Sequence, residues 1–391
     1  MRMKTIYFSF CLLLSLHSTI GLSQSIPTDR VVNWKLAGFN GARPAFTTVK
    51  NIMDYGGSAK MVPALMTPRC KMRLITFLTK MVLFFFPAGT YLFNSPIILR
   101  SGIVLRGEGA SATTLTFNLG GSSNLITIAG NSSAVTNITA SATKNQATVT
   151  VADPSLFVAG NYAKIFFNDD ALVYSTWARQ SVAQIVRIAA VNGNTITLAS
   201  PLRRNFPLSG VPRMVKYDMV TDVGIESLKI KRLDATTAQT SNIFFSVAAR
   251  CWVYGVYSEK CNFAHVQIGN SSNIEVRGCY FVDGFSYGDG GKAYGVDCEY
   301  SSGECLIENN IFKHLRHSML VQSGANGNVY SYNYSLDPYA VNIFGTNNTP
   351  DIVLHGNWAF ANLFEGNITQ TIHLNSALIK IRKGGWYGEQ G

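Results

Sequence analysis

A short strand pattern recurs through the second half of the chain. It reads Ile274-Glu-Val-Arg-Gly-Cys-Tyr-Phe, then Leu306-Ile-Glu-Asn-Asn-Ile-Phe, then Val329-Tyr-Ser-Tyr-Asn-Tyr, then Val353-Leu-His-Gly-Asn-Trp. Asn310, Asn333 and Asn357 fall 23 and 24 residues apart. A repeat of this length means stacked units in place of one globular core. Short alternating strands between Gly, Asn and Ser predict a parallel stack, each coil pairing with the coils above and below. An Asn at the same turn of every coil is expected to hydrogen-bond its neighbour, so these three are predicted to form one ladder. The flank of such a solenoid is a long groove that suits an extended polymer.

Composition agrees with a turn-rich β protein. The chain has 391 residues, of which only 14% are charged. Residues 1–23 read as a secretory signal: Arg2 and Lys4, then the apolar run Ile6 to Leu16, then small residues at Gly21 to Ser23. That run is too short for a membrane span. A secreted, periplasmic or cell-surface location is expected. Of seven cysteines, Cys11 would leave with the signal. Cys298 and Cys305 bracket a Gly-containing turn and could pair, but Cys251, Cys261 and Cys279 suit small buried hydrophobes, and buried thiols are the favoured reading. No Cys-x-x-Cys or His/Cys cluster suggests zinc.

Residues 60–85 do not match their surroundings. They carry Lys60, Arg69, Lys71, Arg73 and Lys80, four Met and no acid. Reading the last base of each codon with the first two of the next forces a second sequence. Met61-Val62 gives Gly, Met66-Thr67 gives Asp, Cys70-Lys71 gives Gln, and Met81-Val82 gives Gly. The stretch is therefore expected to be out of frame, a hypothesis that resequencing the coding DNA tests. An in-frame apolar segment, Leu74 to Phe86, is the alternative. Without these five charges and the two of the signal, the formal charge falls from +11 to +4, so its basic character says little about ligands.

Four motifs carry a resemblance: Val49-Lys-Asn-Ile-Met-Asp-Tyr-Gly56, Phe85-Phe-Pro-Ala-Gly-Thr-Tyr-Leu92, Pro96-Ile-Ile-Leu99 and Gly102-Ile-Val-Leu-Arg-Gly-Glu-Gly109. Together they resemble the pectate-lyase-like superfamily, in the branch that includes tailspike-type proteins and relatives of the polygalacturonases. The resemblance implies an all-β fold, a right-handed single-stranded parallel β-helix, with a capping helix that the second reading frame of 60–85 would supply. A cap is needed because a coil stack otherwise ends in open strand edges. Pro87 and Gly89 suit the turn between strands, and Ile97, Leu99, Val104 and Leu105 supply an inward layer.

Residues 137–220 depart from the coil pattern. Ala147 to Ala152, Tyr162 to Phe167, Gln184 to Ile188 and Thr195 to Leu198 read as strands of a small antiparallel β insert. Trp177-Ala-Arg179 and Leu202-Arg-Arg-Asn-Phe206 would either wall a carbohydrate groove or simply pack the insert. The resulting order is signal 1–23, cap and first coils 24–136, insert 137–220, coils 221–370, and an atypical tail 371–391 in which truncation is suspected.

Candidate chemistry concentrates between Asp283 and His317. Spacing stretches to 32 residues from Ile274 to Leu306, which leaves room for a loop bearing functional groups. Alternation would place His314 and Arg316 on one strand face and Leu315 and His317 on the other. An enzyme that eliminates across a uronic acid needs a carboxylate neutraliser, a base and an acid. Arg316 could neutralise, His317 or Lys292 could be the base, and Tyr294 the acid. A hydrolase needs paired carboxylates, for which Asp289 and Asp297 are the candidates. The plain structural readings are a hydrogen-bonded turn histidine for His317, an ion pair to Glu308 for Arg316, and turn-holding for both Asp. No calcium loop of Asp-x-Asp-x-Asp-Gly type occurs; no cofactor is required, and calcium and other metals are left open.

The expected function is therefore a secreted polysaccharide-active protein, cleaving an acidic polymer by β-elimination or glycoside hydrolysis. The alternative is a non-catalytic glycan-binding or structural surface protein, since a fold does not set a function. The expected partner is a polysaccharide, with no nucleic acid and no integral membrane segment after signal removal. The oligomeric state is not legible.

Overall fold

The computed structural model describes residues 31–55, 81–173, 175–288, 290–341 and 349–374, and the account concerns the compact unit from Val32 onward. The proposed signal, residues 56–80 (which include most of the compositionally foreign stretch), and the tail from 375 lie outside the described residues.

Each coil contributes one short strand to each of three parallel sheets. The coil starting at Ser272 shows the order: Ser272–Arg277 in sheet 1, Tyr280–Gly284 in sheet 2, Tyr294–Glu299 in sheet 3, then Leu306–Glu308 back in sheet 1. Sheet 1 runs from Thr48–Asn51 to Leu363–Glu365, sheet 2 from Gly89–Phe93 to Tyr334–Leu336, and sheet 3 from Ile97–Leu99 to Ile372–Leu374. Alternate residues point inward, as strand pleating requires. Ile274 and Val276, Phe281, Val296 and Cys298 form one inward layer, and Ile307, Phe312, Met319 and Val321 the next. Aromatic rings stack between coils, with Phe93 on Phe117 at 5.0 Å and Phe281 on Phe312 at 5.4 Å. Each such ring adds roughly 0.5–1.5 kcal/mol beyond its burial. Val82–Phe86, whose first four residues belong to the foreign stretch, forms a buried strand between Thr48–Asn51 and Ile103–Gly107.

The asparagine ladder forms, but not with the predicted members. Asn310 Nδ2 donates to Asn333 Oδ1, and Asn333 Nδ2 to Asn367 Oδ1, both at 2.9 Å. The same amides accept from backbone N–H groups and donate to carbonyls, so each buried amide is fully paired. Asn357 instead lies in a turn between sheets 3 and 1 and accepts from the Ser175 backbone N–H. Likewise Val353 belongs to sheet 3, paired with Leu320, and the partner of Val329 in sheet 1 is Leu363. The reason is coil length. The step from Asn310 to Asn333 is 23 residues, whereas the next is 34, so an even period lands one face too early. A second ladder joins Asn328 to Asn362 at 2.9 Å. The five cysteines among the described residues are free and buried.

The antiparallel insert is a six-stranded sheet in the order Asn131–Asn137, Arg213–Asp218, Tyr162–Phe166, Gln184–Asn192, Thr195–Leu198, Thr148–Thr150. It has its own core around Ile165, Val186, Phe206 and Met214. The coil stack closes beneath it, because Gly224–Glu226 pairs directly with Ile103–Gly107. The insert then lies back along the turns that lead from sheet 3 to sheet 1. Lys164 Nζ donates to Asn270, Ser301 Oγ to the Ser181 carbonyl, and Arg203 to Asn326 and Glu304. Gly324 (φ +70°) meets the Ser181 carbonyl so closely that no Cβ fits.

Residues 32–46 form a strap along sheet 1. Trp34 Nε1 donates to the Ala361 carbonyl at 2.8 Å, Gly38 N–H to Glu304, and Phe39 sets its ring edge-on to Trp252 at 5.1 Å. Arg43 pairs with Glu275 at 3.2 Å, and Phe46 sits under the Arg106 guanidinium. The strap thus touches coils from the last to the first.

Candidate functional site

Strand Tyr294–Glu299 alternates Val296 and Cys298 inward with Asp297 and Glu299 outward. Asp297 is 0% exposed and Glu299 4%. Both are acids removed from water without a cation bonded to them, and they are held instead by amides. Gln322 Nε2 donates to Asp297 at 3.2 Å and to Glu299 at 3.3 Å. Sharing one nitrogen leaves their nearest oxygens at most about 6.5 Å apart. Gln267 Nε2 donates to Glu299 Oε1 at 2.7 Å, and its own oxygen accepts from Ser241 Oγ at 2.8 Å.

Sheet register explains this assembly. Gln267 pairs with Asp297, and Asp297 with Leu320, so outward side chains of successive coils stand in rows. Burial first, and then the Glu299 charge, push the Asp297 carboxyl well above the usual carboxylate range. Burial lifts Glu299 to about 7, against the pull of the two amide donors. The two acids titrate as a pair that retains protons near neutrality.

The insert closes one side of this row. Tyr300 follows Glu299 with a left-handed backbone (φ +47°), and its ring contacts Trp177 edge-on at 6.2 Å. Burial, then the charges of Glu299 and Asp297, raise the Tyr300 hydroxyl to about 12. Gly269 lies opposite Glu299 in the register and beside Tyr300: a Cβ there would stand in contact, 3.6 Å from the Tyr300 ring and 3.9 Å from Glu299 Oε1.

The other described residues singled out from the sequence lie at the far end of the same strand, at the start of its neighbour in sheet 3, or just before them. Tyr294 is buried against Phe263, Leu320 and Val353, and its hydroxyl is raised to about 12 by burial. His317 stacks on Tyr294 at 5.2 Å, and its Nδ1 lies 3.0 Å from the Pro350 carbonyl. Burial, then the Arg316 charge, lower it to about 3, so it is neutral at physiological pH. Arg316 is buried, donates to the Gly288 carbonyl at 3.0 Å, and faces the Tyr294 ring at 5.6 Å. Glu308 is not its partner: that acid pairs with Arg277. Lys292 is partly exposed on the loop before Tyr294. Asp289 lies outside the described residues.

The expected alternation through 314–317 does not hold, because His314 sits in a left-handed turn (φ +53°) and the strand begins only at His317. His314 instead meets Asp337 at 2.7 Å. Glu299 was missed because it reads as the start of the Cys298–Cys305 turn. The apolar-acid alternation Val296-Asp297-Cys298-Glu299 was the available signal. Gln267 and Gln322 had none, since only coil register brings them to the acids. Among the described residues, no group of three or more His, Cys, Asp or Glu is placed to hold a metal ion. No helix among them is long and apolar enough to cross a membrane.

Residues 75–199 match the family described as rhamnogalacturonase A/epimerase, pectate lyase-like. Among solved structures, the chain resembles the tailspike protein gp49 from Pseudomonas phage LKA1, with a TM-score of 0.51, 16% identity, and coverage of 73% of this chain and 55% of that one. The tailspike gp61 of Pseudomonas phage phi297 gives 0.49 at 13% identity, covering 82% and 64%. The A-module of the mannuronan C-5 epimerase AlgE6 from Azotobacter vinelandii gives 0.43 at 10% identity, covering 81% and 64%. The chain thus spans between about half and two-thirds of these relatives. Comparison with curated protein sequences gives no match. With three parallel sheets wound coil upon coil and this similarity, the chain has the right-handed parallel β-helix fold of the superfamily related to pectate lyases and tailspike proteins.

Proposed function

We propose that this chain cleaves an acidic polysaccharide by glycoside hydrolysis at Asp297 and Glu299. The observation that carries the reading is the buried pair itself: two outward acids on one strand, sharing one amide donor, both shifted towards the protonated form. A protonated carboxyl can donate to the glycosidic oxygen while its ionised partner attacks the sugar or activates water. A separation of at most about 6.5 Å does not exceed the lower edge of the ~6.5–9.5 Å that accommodates an intervening water, which favours the direct attack made at ~5–5.5 Å. Glu299, the less buried of the two, is the member that meets substrate first.

Rhamnogalacturonan is the first polymer to test, given the family match, with alginate and polygalacturonate beside it as other acidic polymers. New reducing ends without ultraviolet absorbance from unsaturated ends support hydrolysis. Asp297→Asn and Glu299→Gln should each lower that release by about 10²-fold or more. Full activity in both variants sinks the proposal.

A second reading is β-elimination, favoured by the Arg316 guanidinium facing Tyr294 beside the same strand. Unsaturated ends that vanish in Arg316→Ala, with the fold intact, would select it. Binding without new ends of either kind would instead select a glycan-binding role. We place any of these activities outside the cell or on its surface, consistent with the signal-like start of the sequence.

A further inference from the structure

Trp177 is 49% exposed, yet the loop that carries it is anchored at several points. It lies in a single turn, Thr176–Ala178. Ser175 N–H donates to Asn357 Oδ1 at 3.0 Å on one side of it. On the other, Asp169 accepts from the Gln180 and Val182 N–H groups at 2.7 and 2.8 Å, and the Ser181 carbonyl accepts from Ser301 Oγ at 2.6 Å. Gly324, with no room for a Cβ, lets the coil turn press against that carbonyl. The indole is therefore held in place by backbone contacts to three different coil turns, while half of its surface meets water. Its ring partner is Tyr300, and Tyr300 directly follows Glu299.

We propose that Trp177 and Tyr300 form a sugar-stacking subsite, which holds a pyranose ring of the polymer next to the ring that reaches Asp297 and Glu299. The site deepens the hydrolytic reading and rests on it for the identity of the neighbouring ring. The chemistry that suits it is the apolar C–H face of a pyranose, since an indole offers a large flat apolar surface at little cost in side-chain freedom. Rigid presentation matters because a platform ordered in advance loses no entropy when the sugar arrives. The Tyr300 ring stands edge-on to the indole and directly follows Glu299 in the chain, which joins the platform to the strand that carries the acids. The insert then has a definite role: it brings an aromatic surface to a coil edge that the coils themselves do not furnish.

The test is affinity electrophoresis in gels containing rhamnogalacturonan, alginate or polygalacturonate, with kinetics on any polymer that is cleaved. Trp177→Ala should weaken retardation by at least about tenfold, Trp177→Phe should restore part of it, and Tyr334→Ala should change little, since that exposed ring lies on sheet 2, away from the insert. In kinetics, Trp177→Ala should raise KM with kcat held within about twofold. Unchanged retardation in Trp177→Ala overturns the subsite, as does a failure of all three polymers to retard the wild-type protein. Retardation that depends on Trp177 without any cleavage leaves the subsite standing and removes the hydrolytic reading. Cleavage lost in Glu299→Gln, with retardation indifferent to Trp177, does the reverse.

Discussion

Glu299→Gln separates what the buried acid pair does for chemistry from what it does to stability. Burial moves Glu299 from an ordinary 4.5 to about 7. The folded chain thus binds this proton more tightly than the unfolded chain. Its contribution to stability is complete below the unfolded value and is lost as pH rises through about 7. The shift corresponds to about 3 kcal/mol in the wild type, and Asp297, raised in the same direction, adds to it. The amide of the variant cannot ionise. It has one acceptor oxygen where the carboxylate has two, so either Gln267 or Gln322 will face an N–H₂ group. That mispairing costs about 1–3 kcal/mol at every pH. The two effects are separable by pH dependence. Urea denaturation of both proteins, followed by circular dichroism from about pH 4 to pH 9, should show the wild type losing stability across neutrality and the variant losing distinctly less. At the acid end the variant should be the weaker protein, and at the alkaline end the difference should close or reverse. Parallel stability curves would mean that Glu299 ionises as an ordinary exposed acid, and the account of the pair would fail.

Other consequences can be measured directly. Asn333→Ala removes the middle rung of a buried ladder, leaving the Asn310 backbone N–H, one proton of its side-chain amide and the Ile307 carbonyl unpaired, and should lower unfolding free energy by about 2–4 kcal/mol in urea melts. Phe39→Ala releases the strap from Trp252 and should cost roughly 1–3 kcal/mol, with limited proteolysis moving to the first fifty residues. Gly324→Ala should lift the Trp177 loop from the coil turn, reducing polysaccharide retardation while the far-ultraviolet β signal persists. His317→Gln should leave the pH profile of any turnover unchanged, because the imidazole is already neutral throughout the accessible range.

The coil architecture was legible from local pattern because pleating makes inward and outward residues alternate whatever the coil number. Leu306 and Val329 were aligned correctly on that basis, but Ile274 was set one residue out, since Leu306 pairs with Glu275; the antiparallel strands of the insert were found from their own alternation and turns. Chain spacing failed where a coil lengthened. Asn357 and Val353 have the right residues at the right interval, yet an extra stretch between Tyr334 and Ile352 moves them to another face. The candidate site divides in the same way. Asp297 was legible as a candidate acid in the polar stretch between coils, but its place on a strand with Glu299 and the Gln267 and Gln322 donors needed three coils in register. Trp177 was visible as an aromatic on the insert, while its position beside Tyr300 depends on how the insert lies back over the coil turns. Side-chain periodicity is a property of one strand and is written in a few consecutive residues. The meeting of side chains from different coils depends on the length of every intervening loop, and only the wound chain decides it.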